Sequence, residues 1–280
     1  MLCMFLPSSV YTLFILPYSH CVTSYTLPYH IQALQNALDV SLQLCLQIPL
    51  ADIIAYVKLS KAYFGFLEVL FRNHLDVLSG LDSPIFLQLV KSNHEGLQSA
   101  GELCIVCYFT LISPYFCYNF RLNFLLFPPY FALIIALDPT ICALCSSTID
   151  HLATYMFLNQ SKTDKTTVTL IRKHVTYEPD ILYQLMTTLF NTLLFSTQAN
   201  HWAVTRPILS LLLASESAFT DYQSQLINTQ ISVENREKLK EEFNKLLSTD
   251  IQRSVDIMNR DKFTQKLTMF RLNVRHFLTL

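Results

Sequence analysis

Residues 178–215, EPDILYQLMTTLFNTLLFSTQANHWAVTRPILSLLLAS, limit what this chain can fold into more than any other stretch. Ile181, Leu185, Leu189 and Leu193 recur every four residues, flanked by Leu182, Met186, Phe190 and Leu194, which gives one broad apolar helix face. Glu178-Pro179-Asp180 suits the entry to that helix, because proline fits a first turn and carboxylates suit the positive helix end. A short polar break follows, and then Ile208 to Leu213 is apolar almost all round. A helix of that kind must be covered by neighbours on every side. Two such helices joined by a few residues form the unit of a helical solenoid, in which each pair hides its sides against the next.

The composition points the same way. Four glycines in 280 residues are too few for strand-and-turn architectures or for phosphate-cradling loops. No GxGxxG, Walker A or HExxH pattern occurs. The formal net charge is −1, so a phosphate-driven grip on nucleic acid has no support. The eight cysteines do not have the look of a disulfide framework in a chain this long, which points to a reducing compartment. Residues 1–158 carry 14 of the 41 charged side chains and residues 159–280 the other 27.

Read in order, the chain divides into four parts. Residues 1–30 contain no Lys, Arg, Asp or Glu, and Pro7, Pro17 and Pro28 cut the apolar runs below spanning length. They read as a poorly ordered or spurious leader rather than a signal or anchor. Residues 31–99 read as HEAT-like helices. Ile31, Leu34, Leu38, Leu42 and Cys45 line one face before Pro49, and Phe64, Leu67, Phe71, Leu75 and Leu78 line the next, with Gly80 as its stop. Ser83-Pro84 opens a third helix running to about Gln98.

Residues 100–136 break this logic, since Arg121 is the only charge between Glu102 and Asp138. A buried or membrane-inserted hairpin is one reading, although Pro114, Pro128 and Pro129 argue against a clean span. The residues favoured here, Phe, Leu, Ile, Tyr, Cys and Ser, are those that thymine-rich codons specify, so a translated intron is the preferred reading. Joining Ser99 to Leu137 would leave a helix connection of ordinary length.

Residues 137–280 return to HEAT-like helices. Asp138-Pro139 opens one through Ile141, Leu144, Ile149, Leu152 and Met156, and a polar linker follows at 159–168. A short helix near 169–175 leads to the apolar pair, and Phe219–Ile227 marks another. Ser232 caps a long charged helix with Leu239, Phe243, Leu246, Ile251 and Val255 inward, supported outside by pairs such as Glu234–Lys238, with Glu237–Glu241 unfavourable. The last helix steps through Phe263, Leu267, Phe270, Val274 and Phe277. No stretch alternates with period two. The expected fold is all-α, a HEAT/ARM-like helical-repeat solenoid of about ten helices.

Few residues invite a chemical role. Cys104-Ile-Val-Cys107 and Cys142-Ala-Leu-Cys145 give two CxxC pairs, half a tetrahedral zinc site each, but their connector is long and apolar, and packing as small hydrophobes is preferred. Asp150-His151 near Ser146 and Ser147 resembles a triad in composition only, because adjacent helical residues point about 100° apart; a solvated face is expected. Asn159-Gln160-Ser161 matches a glycosylation acceptor. Trp202 is expected in the core. No catalytic, cofactor or metal residues are assigned, and the chain does not read as an enzyme.

Four segments carry a family resemblance: IPLADIIAYVKLSKAYFGFLEVLF (48–71), CSSTIDHLATY (145–155), the Trp202…Arg206-Pro207 block with LLLASE behind it, and Asn259-Arg260-Asp261-Lys262-Phe263-Thr264-Gln265. Together they resemble the C-terminal region of the exportin-7 family of Ran-binding karyopherins, in the importin-beta superfamily, with plant-type members nearest. The resemblance covers about 31–99 and 137–272. It does not reach the family's N-terminal Ran-binding repeats, the block 100–136 or the tail LNVRHFLTL.

This resemblance implies part of a nuclear export receptor. Its partners would be cargo proteins, Ran GTPase and nuclear pore proteins, with no nucleic acid and no membrane. It would shuttle between nucleus and cytoplasm without catalysis or cofactor. It assigns no partner-binding residues; a capping and salt-bridge role is expected for Arg260, Asp261 and Lys262. Two rival readings are a membrane protein with a hairpin at 103–137 and a non-functional truncated gene product.

Overall fold

The computed structural model describes residues 27–112, 139–160, 166–195, 201–247 and 251–278. These residues form twelve α-helices, and among them there is no strand. The chain divides into two compact units, residues 1–49 and 50–280. The first contains α1 (Leu27–Gln47), which buries Leu38 and Leu42 and leaves Cys45 half-exposed. Burial pushes the Cys45 thiol up to about 11. The helix takes in the last four residues of the expected leader; residues 1–26 lie outside the described residues.

The second unit holds the other eleven: α2 (Leu50–Ala55), α3 (Val57–Asn73), α4 (Leu75–Ser79), α5 (Ser83–Ile112), α6 (Pro139–Leu158), α7 (Thr166–Tyr177), α8 (Ile181–Phe195), α9 (His201–Ala214), α10 (Glu216–Thr229), α11 (Val233–Leu246) and α12 (Ile257–Val274). The number exceeds the expected ten because two helices are interrupted. Tyr56 is extended, so α2 and α3 separate, and the Ser60 hydroxyl donates to the Ile53 carbonyl left at that break (2.6 Å). His74 likewise divides α3 from α4, although Phe64, Leu67, Phe71, Leu75 and Leu78 are all buried as the periodicity predicts.

Two rows of helices lie against each other. In one, α3, α6, α9 and α12 are successive neighbours; in the other, α5, α8, α10 and α11 follow in turn. Cross-contacts join α5 to α6, α8 to α9, α9 to α10 and α11 to α12, while α7 closes the side of α4 and α5. This is a helical-repeat arrangement, with the core between the rows. The apolar pair anchors it. In α8, Ile181, Leu182, Leu185, Met186, Leu189, Phe190, Leu193 and Leu194 are all buried, and in α9 so are Val204, Ile208, Leu209, Leu211 and Leu213. Each such side chain contributes about 1.5–3 kcal/mol relative to exposure.

Aromatic rings run through the second half of the core. Phe190 stacks on Tyr222 (centroids 4.5 Å) and meets Phe219 (5.9 Å); Phe219 meets Phe243 edge-on (5.9 Å), and Phe243 meets Phe270 (4.8 Å). The rings thus link α8, α10, α11 and α12. Near the other end, His174 of α7 stacks on Phe86 of α5 at 4.5 Å. Its Nε2 lies 2.9 Å from the Ser79 carbonyl and its Nδ1 2.8 Å from the Ser83 hydroxyl. An Nε2–H therefore donates to the carbonyl while the Ser83 hydroxyl donates to Nδ1. The Ser83 hydroxyl is thus turned to α7.

Several expectations are corrected. The charged helix ends at Leu246, not near Val255, and residues 251–256 form a loop in which Ile251 and Val255 are half-buried. The Ser232 side chain makes no cap hydrogen bond there. Glu237 pairs with Lys240 (2.7 Å) alongside Glu234–Lys238 (2.6 Å), which offsets its repulsion from Glu241. Trp202 is 54% exposed: Val204, Ile208 and Leu211 take the core side of α9, and position 202 falls opposite them. Asn159 is buried and its Nδ2 donates to the Tyr155 carbonyl (2.8 Å), which does not suit a glycosylation acceptor.

Helix α5 continues past Gln98 to Ile112, while residues 113–136 of the apolar block, including most of the proposed hairpin, lie outside the described residues. One described helix, α6, is long and apolar enough to cross a bilayer, but it lies between α3, α5 and α9 and carries ion-paired side chains.

Gly96 marks a close approach between helices. A Cβ there would lie 2.6 Å from Phe64 Cζ and 2.8 Å from Cys145 Sγ, so α5 meets both α3 and α6 at this point only because the side chain is hydrogen. Gly96→Ala is expected to destabilise the unit by about 1–3 kcal/mol. Urea unfolding followed by circular dichroism measures this, and an unchanged midpoint would contradict the packing described.

Candidate functional site

Polar side chains occupy the row α3–α6–α9–α12, and they come from the helix faces that meet their neighbours in the row. At one end Glu68 of α3, which is buried, accepts a hydrogen bond from Ser147 of α6 (3.2 Å). Arg72 one turn along α3 lies 3.2 Å from the same carboxylate oxygen, and His151 Nε2 of α6 lies 3.3 Å from it. At the other end Asp150 of α6 receives Nη1 of Arg260 on α12 at 2.8 and 2.9 Å, both groups being largely sheltered from solvent. Helix α9 lies between these partners. The bridge passes over it because position 210 is a serine, whose hydroxyl donates to Asp150 (2.5 Å).

The Arg260 guanidinium also donates from Nη2 to Thr154 (2.9 Å), whose hydroxyl donates to Ser210 (3.2 Å). Arg260, Thr154, Ser210 and Asp150 thus form a closed ring of hydrogen bonds across three helices. Closed networks hold register well because no member is left unsatisfied. Further along, Thr205 of α9 and Thr264 of α12 are 3.0 Å apart. Since 150 and 154 face 210, and Gln160 donates to the carbonyls of Leu213 and Ala214 (3.1 Å each), α6 and α9 run the same way. The pairs 210–260 and 205–264 show α12 running opposite.

The loop before α12 aims the arginine. The Asp256 carboxylate caps the helix by accepting from the Asn259 N–H (2.8 Å). The Asn259 side chain, buried, donates to the carbonyls of Gln252 (2.7 Å) and Ser254 (2.6 Å) and accepts from the Gln252 N–H (2.9 Å). Asn259 thereby pins the loop and fixes where Arg260 emerges; its Nε donates to the Val255 carbonyl (2.9 Å). Arg260 forms a salt bridge, then, whereas the cap belongs to Asp256.

The solvated face expected at Asp150-His151 is corrected. Asp150 turns to Arg260 and Ser210, while His151 turns to Glu68, as their separation around the helix requires. Neither acts on the other, and the Ser147 hydroxyl donates to the Glu68 carboxylate rather than to an imidazole. Cys142 and Cys145 are fully buried; burial pushes the Cys142 thiol up to about 11 and that of Cys145 well above its ordinary value. Such thiols stay protonated and pack as small hydrophobes. The side chains of Cys104 and Cys107 lie outside the described residues, and among the described residues no group of three metal-ligating side chains converges. A shallow cavity of about 240 Å³ lies between α8 and α10, lined by Asp180, Tyr183, Ser215 and Asp221 among others. Two carboxylates and no cation make it unsuited to an anion.

Over 87% of its length the chain is 27% identical to exportin-7-B of Xenopus laevis, and over the same share 27% identical to Ran-binding protein 17 of Mus musculus. It is 25% identical over 86% of its length to Ran-binding protein 16 of Drosophila melanogaster. The chain is a homologue of exportin-7. It spans about a fifth of the length of these curated relatives (19%, 20% and 19%). No protein-family model and no solved structure matches it.

The four segments that stood out in the sequence meet in this row. Residues 48–71 supply Glu68, residues 145–155 supply Ser147, Asp150, His151 and Thr154, the Trp202–Pro207 block supplies Thr205, with Ser210 just beyond it, and residues 259–265 supply Asn259, Arg260 and Thr264. Reasoning from the sequence missed this ring because its members are separated by up to 110 residues, and no local spacing announces it. The only available signal was that four blocks stood out together.

Removing one partner of a sheltered ion pair leaves the other charge uncompensated. Arg260→Ala is therefore expected to destabilise the chain by about 3 kcal/mol, and the double change Asp150→Asn with Arg260→Met to recover part of that loss. A double-mutant cycle in urea measures both. For the thiols, peptide mapping by mass spectrometry should find Cys142 and Cys145 unmodified by iodoacetamide in the native chain and modified once it unfolds; rapid native labelling would contradict their burial.

Proposed function

We propose that the chain acts as a protein-binding segment of a nuclear export receptor, the C-terminal part by resemblance, and that it works without catalysis. Cargo proteins and the GTPase Ran are its proposed partners, with nuclear pore proteins met in transit, and it shuttles between nucleus and cytoplasm. The single observation that supports this reading is the 27% identity to exportin-7-B of Xenopus laevis over 87% of the chain, on a helical-repeat fold. Solenoids of this kind bind by presenting many side chains on stiff rods at fixed separations.

A segment exchange tests the reading. The chain replaces the matching segment of Xenopus laevis exportin-7-B, and capture of a known cargo by the purified chimera is measured with Ran in its GTP and GDP forms. The expected result is GTP-dependent cargo capture, weakened by Arg260→Ala. A folded chimera that captures no cargo in either form would overturn the proposal, and carbonate-resistant membrane association of the full chain would favour the membrane reading instead.

We further propose that residues 100–136 are an insertion into the repeat rather than part of the binding wall. Deleting them, so that Ser99 joins Leu137, is expected to leave the midpoint of thermal unfolding unchanged or raise it. Loss of cooperative unfolding would show that the block belongs to the fold.

A further inference from the structure

Helix α12 is apolar on two faces. Phe263, Leu267, Phe270 and Val274 are buried against α9 and α11. On the opposite side Met258, Lys262, Gln265, Met269, Leu272 and His276 follow one another at four- and three-residue steps, a single stripe along the helix or just beyond its end. Met258 is 72% exposed, Met269 58% and Leu272 53%. Met269 and Leu272, one turn apart, with Met258 on the same line nearer the helix start, form the apolar part of this face between polar side chains.

The charge around the stripe selects the cover. From Lys262 to His276 the sequence carries Lys262, Lys266, Arg271 and Arg275 and no acid. Lys262 and Arg275 are exposed and flank Met269 and Leu272. On the neighbouring α11, Glu242 is already engaged by Lys245 (2.5 Å) and by Asn273 (2.8 Å), Glu234 and Glu237 by Lys238 and Lys240, and the exposed Glu241 acts on Lys245. Asp261, half-buried, is the one acid within the helix.

We infer that this face of α12 docks an acidic amphipathic helix of a partner protein, whose apolar side covers Met258, Met269 and Leu272 while its carboxylates face Lys262 and Arg275. The methionines suit such a role because their unbranched chains adapt to different apolar partners, and the step pattern matches helix-on-helix recognition. A second copy fits less well, since a two-fold contact would set Lys262 and Arg275 against their own equivalents. Adsorption to a bilayer surface, which a basic face with exposed apolar side chains also suits, is tested separately below. The inference rests on the protein-binding reading of the chain and names a surface and a partner chemistry for it.

The experiment uses the full chain and a fluorescent synthetic helix about 18 residues long, with Leu at helical spacing and Glu elsewhere. Fluorescence anisotropy should show saturable binding that weakens as salt rises. Lys262→Glu with Arg275→Glu, and separately Met269→Asp with Leu272→Asp, should each weaken it about tenfold or more. Tyr177→Asp, on α7, should leave it unchanged. Circular dichroism melts check that each variant folds, which exposed positions favour.

Equal binding of a helix with Lys in place of Glu would overturn the inference. So would a self-associated chain that the Met269 and Leu272 changes dissociate in sedimentation velocity, or cosedimentation with phosphatidylcholine–phosphatidylserine vesicles lost in the same variants. Because the readout is direct peptide binding, a chain that captures the helix while the export chimera fails would retire the transport reading and leave this one standing.

Discussion

The burial of α9 on nearly every side is the constraint from which the rest of this architecture follows. It touches α6, α8, α10 and α12, and Val204, Ile208, Leu209, Leu211 and Leu213 leave it almost no solvent side beyond its first turns. A helix of this composition has no stable existence alone, because exposure of each apolar side chain would cost about as much as the whole margin of a small domain spread over a few positions. Its neighbours must be present together. That requirement ties the folding of α6 to that of α12 across more than a hundred residues of sequence and explains why the repeats behave as one unit. Pro207 within α9 removes one helical donor, yet the helix continues to Ala214, as expected where packing rather than local propensity holds the rod.

Apolar packing alone would let such rods slide, since Leu on Leu is similar at neighbouring registers. The polar ring supplies what packing lacks. Arg260 can satisfy Asp150 and Thr154 together only when α6, α9 and α12 stand at one axial offset, with Ser210 under the bridge. A slip of one turn, roughly 5.4 Å, would strand two charges away from water. Such a pair adds little to stability compared with an apolar substitute and much to uniqueness of arrangement. Glu68 performs the same office between α3 and α6, where Arg72, Ser147 and His151 converge on one carboxylate.

The helices themselves were legible in the sequence because burial repeats at the helix period. The stripes through Phe64 and Leu78, Ile181 and Leu194, and Phe263 and Val274 stand in the core where the spacing placed them. What period alone could not give was interruption and phase. The breaks at Tyr56 and His74 arise from residues with no breaking character of their own, and the charged helix looked longer than it is because Ile251 and Val255 continue its step inside a loop that Asn259 holds. Trp202 misled through its size: the indole is large and apolar, but its phase on α9 sets it outside. Asp150 and His151 looked solvated because charge is normally outside, and only their partners on distant helices reverse that. The row of polar contacts was legible solely as unusual blocks, without any indication that they met.

The same two-row geometry governs what chemistry the described surface can offer. Parallel and antiparallel rods present side chains at steps of about one turn along lines. Where lines from neighbouring rods do meet, as at Asp150, the meeting point is filled by an arginine and two hydroxyls and has no room for a substrate. The remaining freedom lies along the outer lines, where spacing is regular and side chains stand apart. Such lines match the period of another helix rather than the shape of a small molecule. On that ground the exposed apolar side chains of α12 are not an imperfection of design, since the stiffness that fixes Arg260 at one end of the helix also holds Met269 and Leu272 in line toward the other.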